Sequence, residues 1–207
     1  MIVDINLSLI LLAALVAVAS PGPAILAIAG TSMSSGRRSG LALALGITTG
    51  SIVWSISAAL GLGALMMANA WVMEVIRYCG AAYLLFLAFK SAKSAFTPGD
   101  MKVRPLTGDH VALYAKGVAL HVTNPKAILF FGSLYSIGIP ADASASQLTT
   151  VIVAVGIQSF VIFHGYALLF STPLVTRQYL RLRRWFEAAF AVGFGLASLK
   201  VLTARLQ

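Results

Sequence analysis

The sequence Ser-Pro-Gly-Pro at positions 20–23 interrupts an apolar run, 5–29, that is otherwise long enough to form one continuous helix. Each proline removes a backbone N–H donor and clashes with a preceding carbonyl, while the glycine adds conformational freedom. Inside a membrane, such a break is tolerated only where protein or a watery cavity covers the polar backbone. The stretch therefore predicts a broken helix whose freed carbonyl groups face a protein-lined site.

A second break of the same kind, Thr-Asn-Pro-Lys at 123–126, lies about a hundred residues later in another apolar run. Pro125 again removes a donor from the middle of an apolar segment. We predict that the two breaks are the two halves of one site.

The composition places the chain among membrane proteins. Of its 207 residues, 59% are hydrophobic and only 10% are charged, which is far from soluble usage. Six apolar runs are each long enough to cross a hydrocarbon core of about 30 Å: 5–29, 41–70, 72–89, 117–139, 148–170 and 185–202. We therefore predict an all-α integral membrane protein with six transmembrane helices, of which helices 1 and 4 are broken.

We expect one transmembrane domain over 1–207, built from a first half (1–95), a cytoplasmic linker (96–116) and a second half (117–207). Little chain remains outside the apolar runs, so we predict no soluble catalytic module. The single cysteine, Cys79, excludes an internal disulfide and a metal site built on paired cysteines. No cofactor is predicted.

Basic residues lie in alternate connections. The first, third and fifth connections carry Lys and Arg: Arg37, Arg38; Lys90, Lys93, Lys102, Arg104, Lys116; Arg177, Arg181, Arg183 and Arg184. The second and fourth carry none. The positive-inside bias makes the odd connections cytoplasmic and both termini periplasmic, in a bacterial inner membrane. The net charge of +9 then reflects these loops and anionic lipid headgroups, and no nucleic-acid partner is predicted.

The two halves share weak internal similarity. Both breaks are followed by Ala-Ile-Leu, at 24–26 and 127–129, and Glu74 and Glu187 each precede a glycine by six positions. Three spans per half would invert the second half relative to the first. The pattern predicts a 3+3 inverted repeat, an arrangement in which transporters place substrate sites at the repeat interface. Chance similarity between apolar segments is the alternative.

These features together resemble the LysE/RhtB amino-acid exporter family. The resemblance rests on the Ser-Pro-Gly-Pro break, the glycines at 36, 40, 46 and 50, and Gly117 followed by Asn-Pro-Lys-Ala at 124–127 with Phe130 and Phe131. It covers essentially the whole chain. It implies export of amino acids from the bacterial cytoplasm, driven by the proton gradient. The glycine spacing suits close helix packing, within one protomer or in a homo-oligomer.

Lys126 is the sharpest polar signal, because a cation near mid-bilayer is costly and marks a functional site by default. We predict that it meets the carboxylate of an amino acid, with the Asn124 amide and the first amides of each half-helix nearby. The carbonyls freed upstream of the prolines are predicted to receive the ammonium group. Snorkelling of Lys126 toward the cytoplasm is the alternative. The predicted substrate-binding residues are Ser20, Pro21, Gly22, Pro23, Asn124, Pro125, Lys126 and Trp54.

Two histidines, His164 and His121, are candidates for proton coupling because histidine titrates near physiological pH. Each also suits an ordinary interhelical hydrogen bond. All six carboxylates are expected near span ends or in connections, which favours a small neutral or hydroxylated substrate, such as threonine or homoserine, over a cationic one.

Two other classes of membrane protein are alternatives to an amino-acid exporter. A divalent metal-ion exporter of related architecture is the main alternative, but it needs clustered ligands, and Cys79, His121 and His164 lie on three different spans. A membrane enzyme needs a catalytic pair, and no spacing of serine, histidine or aspartate indicates one.

Overall fold

The computed structural model describes residues 5, 7–68, 70–97, 103–139 and 143–203. Over this part of the chain the fold is entirely helical, which confirms the predicted all-α class. The helices are α1 (Leu7–Ala19), α2 (Pro23–Ala68), α3 (Ala70–Phe96), α4 (His110–Val122), α5 (Pro125–Gly138), α6 (Ala145–Phe170) and α7 (Pro173–Thr203).

Both proline-containing stretches end one helix and begin another. α1 stops at Ala19 and α2 starts at Pro23, while α4 stops at Val122 and α5 starts at Pro125. A proline in the first turn is well tolerated, because its missing N–H has no helical partner there. The prolines thus serve as helix starts at the two predicted positions.

Helix α2 contains a sharp change of direction at Gly36, where φ is 82° and ψ is 177°. Glycine adopts this backbone conformation without a steric cost. The first predicted connection, between the apolar runs 5–29 and 41–70, is therefore mostly helical, and Gly36 separates a short first arm, 23–35, from a long second arm, 37–68.

The segment before α4 packs on the first arm of α2. The backbone N–H of Arg104 donates to the Leu26 carbonyl at 3.3 Å, and that of Leu106 donates to Thr31 Oγ1 at 2.9 Å. A β-carbon at Gly30 would lie 2.6 Å from the Pro105 nitrogen. Helix α4 begins at His110, inside the stretch predicted to be linker, because Asp109 caps it by accepting from the Ala112 N–H.

Glycines allow α2 and α4 to approach closely. A β-carbon at Gly46 would lie 2.0 Å from the Tyr114 carbonyl oxygen, and one at Gly117 would lie 2.5 Å from that of Leu43. Further packing joins α2 to α6 and α3 to α7. These contacts assemble the helices around the two breaks.

The outward faces are apolar. Among the described residues, three helical segments are long and apolar enough to cross a membrane: Pro23–Gly61, Ala145–Phe170 and Pro173–Thr203. Large hydrophobic side chains, including Leu60, Phe89 and Leu196, are more than half exposed. These are the features of an all-α membrane protein. Residues 1–4, 140–142 and 204–207, and the side chain of Glu74, lie outside the described part, so neither terminus is placed.

Candidate functional site

Lys126 joins the two helix breaks directly. It is the second residue of α5, where the Asn124 side chain caps the helix by accepting from the Lys126 N–H at 3.0 Å. Its ammonium donates to the Ser20 carbonyl at 2.8 Å and also to the Ser20 hydroxyl. A β-carbon at Gly22 would lie 3.2 Å from Lys126 Cδ, so glycine gives the lysine room to pass.

A cavity of about 560 Å³ contains both breaks. Seven of the eight predicted substrate-binding residues line it: Ser20, Pro21, Gly22, Pro23, Asn124, Pro125 and Lys126. The remaining wall comes from α3, α7 and the segment before α4. The two breaks predicted to form one site are therefore neighbours across one space large enough for a small metabolite.

The carbonyls released by the prolines already have donors. The missing N–H groups of Pro21, Pro23 and Pro125 would have bonded one turn back, to residues 17, 19 and 121. Instead, Ala17 accepts from the Ser20 hydroxyl at 3.0 Å, Ala19 from the Tyr166 hydroxyl at 2.7 Å and His121 from the Asn124 N–H at 3.1 Å. Each of the three carbonyls thus has one hydrogen-bond donor within the fold, as buried backbone acceptors usually do, and a ligand would have to use its second lone pair.

The first amides of α5 are occupied as well. The N–H groups of residues 126, 127 and 128 all bond to Asn124, the first to its side chain and the other two to its carbonyl. The predicted carboxylate cradle at this helix start is therefore closed. The Lys126 ammonium is the donor that α5 offers to the cavity.

Trp54 lies outside this cavity. Its indole N–H donates to the Val122 carbonyl at 3.3 Å, next to the second break. Trp54 thus satisfies a backbone acceptor where α4 ends, and the structure does not place it among the cavity walls.

The two histidines differ in their surroundings. His121 is buried, and neither of its ring nitrogens has a hydrogen-bond partner among the described residues. It lines a small cavity of about 30 Å³ that also touches Lys126, Ser20 and Ser51. His164 stacks on Phe160, with ring centroids 3.9 Å apart, and bonds through Nδ1 to the Phe160 carbonyl. Of the two, only His121 shares a cavity with Lys126.

The buried carboxylate of Glu187 is a part of the site that the sequence reading missed. Glu187 is only 4% exposed and lines the large cavity from α7. Its Oε1 accepts from the Ser94 hydroxyl at 2.9 Å and lies 4.0 Å from Arg183 Nε. Span six was predicted to begin at 185, but α7 begins at Pro173, which moves Glu187 from a helix end to a helix interior. The Arg-x-x-x-Glu spacing, which favours pairing on one helix face, was the signal available.

The charged side chains in the cavity wall are mainly cationic. Among the described residues, four cations and one carboxylate line it: Lys90, Arg104, Lys126, Arg183 and Glu187. This surplus of positive charge favours a ligand that carries a carboxylate. No group of three or more His, Cys, Asp or Glu side chains suited to a metal ion occurs in the described part of the chain.

A helical membrane protein whose two broken helices meet at a charged cavity has the architecture of a transporter. The LysE type translocator family matches residues 15–205. The chain therefore belongs to this family of translocators, which confirms the predicted resemblance, and it is a transporter and not an enzyme.

Curated relatives are similar over most of the chain. The threonine efflux protein of Salmonella typhi is 30% identical over 191 residues, which cover 88% of this chain and 91% of that protein. The threonine efflux protein of Escherichia coli strain K12 is 29% identical over 189 residues, with the same coverage. No solved structure matches the chain.

Proposed function

We propose that this protein is a secondary exporter of small neutral or hydroxylated amino acids across the bacterial inner membrane. The observation that carries the proposal is the contact of Lys126 with Ser20 at the edge of the 560 Å³ cavity. It places one cation and two broken helices at a single site. The names of the threonine efflux relatives support an amino acid as substrate.

In this proposal the Lys126 ammonium binds the substrate carboxylate. An ammonium has three donors, and Ser20 accepts two hydrogen bonds from it. A carboxylate in the cavity either uses the third donor or displaces Ser20. Residues 20–23 and 124–125 shape the wall around it.

The charges of the cavity support a neutral substrate. A cationic side chain entering it meets Lys90, Arg104 and Arg183, which outnumber the single carboxylate, Glu187, among the described residues of the wall. The preference for a neutral substrate therefore rests on the surplus of positive charge at the cavity wall.

We propose six spans, with α1 and the first arm of α2 forming span one, and α4 with α5 forming span four. Packing supports a 3+3 inverted repeat. α3 contacts α7 and the long arm of α2 contacts α6, so the third and second spans each meet their counterparts in the other half. The two breaks likewise meet each other through Lys126.

The cavity is proposed to face the cytoplasm. Lys90, Arg104 and Arg183 at its wall belong to the third and fifth connections, which the positive-inside bias places on the cytoplasmic side. The termini are then periplasmic. In this proposal the cavity receives substrate from the cytoplasm.

Proton coupling is proposed to act through His121. Its ring lies beside a cavity of about 30 Å³ shared with Lys126, large enough for about one water molecule. A protonated His121 and a charged Lys126 repel each other, so loading one site with a proton alters the other. His164 instead stacks on Phe160 of its own helix.

Counterflow in proteoliposomes tests the function. Vesicles containing the full-length protein are loaded with unlabelled neutral, acidic or basic amino acids, or with divalent metals, and uptake of the labelled compound is followed. Accumulation of threonine or homoserine supports the proposal. Flux of metal ions alone would overturn it, and amino-acid flux that ignores a pH gradient would remove the proton coupling.

A further inference from the structure

The substrate of the proposed function carries a primary ammonium group, which needs an acceptor inside the cavity, so this inference rests on that function. Four carbonyls at the breaks each already accept a hydrogen bond within the fold: Ser20, Tyr166 and Asn124 donate to the three carbonyls released by the prolines, and Lys126 donates to the Ser20 carbonyl. An ammonium group bonds more strongly to a carboxylate than to a neutral carbonyl. A carboxylate on another wall is therefore the stronger acceptor.

Glu187 is the remaining anionic group. It is the only carboxylate among the described residues that line the cavity. Leaving a carboxylate buried costs free energy unless partners compensate the charge. Ser94 Oγ, at 2.9 Å, and Arg183 Nε, at 4.0 Å, both approach the same carboxylate oxygen of Glu187, Oε1. A carboxylate offers about four acceptor positions, so the group has capacity for a further donor.

Glu187 lies on α7, the helix that also brings Phe194 close to Lys126. Phe194, two helical turns further along α7, lies with its ring centroid 5.9 Å from Lys126 Nζ. Glu187 and Phe194 both line the cavity. One face of α7 therefore presents a carboxylate and an aromatic ring to the space that Lys126 enters from α5.

We propose that Glu187 accepts the α-ammonium group of the substrate while Lys126 holds its α-carboxylate. Ser94 and Arg183 orient the Glu187 carboxylate, and the substrate ammonium adds the missing charge-assisted hydrogen bond. The site then reads both charges of an α-amino acid. A carboxylic acid with hydrogen in place of the ammonium group satisfies only the Lys126 wall.

Ligand-dependent melting of the purified full-length protein tests this assignment, because a ligand that binds the folded state raises the melting temperature according to its affinity. The probes are threonine and its deamino analogue, 3-hydroxybutanoate. Wild-type protein is expected to bind threonine at least about tenfold more tightly, as a hydrogen bond between charged groups implies. Glu187→Gln is expected to weaken threonine by about tenfold and to leave the analogue within about twofold.

Ser198→Ala is the matched control. It removes a hydrogen bond of 2.9 Å from α7 to the Ala81 carbonyl of α3, at a buried position off the cavity wall, and keeps the Glu187 carboxylate and its partners. It is expected to lower the melting temperature of the ligand-free protein and to preserve the preference for threonine. If Glu187→Gln does not fold, Glu187→Asp carries the test, since it withdraws the carboxylate by one methylene and should weaken threonine alone.

The outcomes separate the two proposals. A preference for threonine that survives Glu187→Gln overturns the ammonium assignment and leaves amino-acid export standing. Equal weakening of both ligands overturns it too, since it indicates a purely structural carboxylate. Wild-type protein that binds no amino acid overturns the proposed function itself.

Discussion

Lys126 of α5 donates a hydrogen bond of 2.8 Å to the carbonyl of Ser20, a residue 106 positions earlier in the chain. The two residues belong to the two helix breaks, so the Lys126 side chain connects the two halves of the chain directly. This contact makes Lys126 both a structural link and the cation that faces the cavity.

Replacing the cation at this contact is expected to reduce transport strongly. Lys126→Met keeps an unbranched side chain but removes the donors to Ser20 and to a substrate carboxylate. A hydrogen bond to a charged group contributes about 1.5–3 kcal/mol, so counterflow of threonine should fall at least about tenfold. The measurement is initial counterflow rate in proteoliposomes.

Lys116→Met serves as the control for this substitution. The Lys116 ammonium is bonded to the Thr107 carbonyl at an exposed position on α4. The control should transport within about twofold of wild type, because exposed charge contacts contribute little. Full activity of Lys126→Met would remove the lysine from the proposed site.

The breaks were predictable because their cause is local. Proline lacks an N–H wherever it stands, so Pro23 and Pro125 mark helix starts without reference to the rest of the fold. The meeting of the two breaks was inferred from the repeat of one pattern in both halves. Lys126 followed from the cost of an unexplained cation in an apolar run.

Other parts of the site depend on partners far away in sequence. The carbonyl of Ala19 accepts a hydrogen bond from the hydroxyl of Tyr166, 147 positions later. The sequence near the first break does not indicate which residue supplies that donor. Glu187 was misplaced because the arginines before it suggested a loop. They instead lie on the first turns of α7, where Arg177, Arg181 and Arg184 are exposed, so the helix extends past the apolar run.

The close approach of α2 and α4 predicts a stability defect. A β-carbon at Gly46 would lie 2.0 Å from the Tyr114 carbonyl oxygen, so Gly46→Ala forces two backbones apart. Overpacking of this kind costs about 1–3 kcal/mol. The melting temperature of the detergent-purified protein should fall. Gly165→Ala, where a β-carbon meets nothing within 4 Å, should leave it unchanged or slightly higher, and equal defects at both positions would contradict the packing argument.

The two histidines should respond differently to a pH gradient. His121 shares a small cavity with Lys126, whereas His164 stacks on Phe160 of its own helix. His121→Gln is expected to abolish the acceleration of threonine efflux by an imposed pH gradient, since glutamine does not take up a proton. His164→Gln should retain that acceleration. If only the His164 variant lost the acceleration by the pH gradient, proton coupling would be assigned to His164 on α6.

The orientation of the cavity can be read from thiol labelling. Ser91 lines the cavity, so Ser91→Cys, in a background where the exposed Cys79 is replaced by serine, should react with a membrane-impermeant maleimide added to the cytoplasmic side. Threonine should slow the reaction, because it occupies the same space. Ser159→Cys is the control: its fully buried hydroxyl contacts Ser51 and lies off the cavity wall, so it should stay unlabelled. Labelling of Ser91→Cys from the periplasmic side alone would reverse the proposed topology.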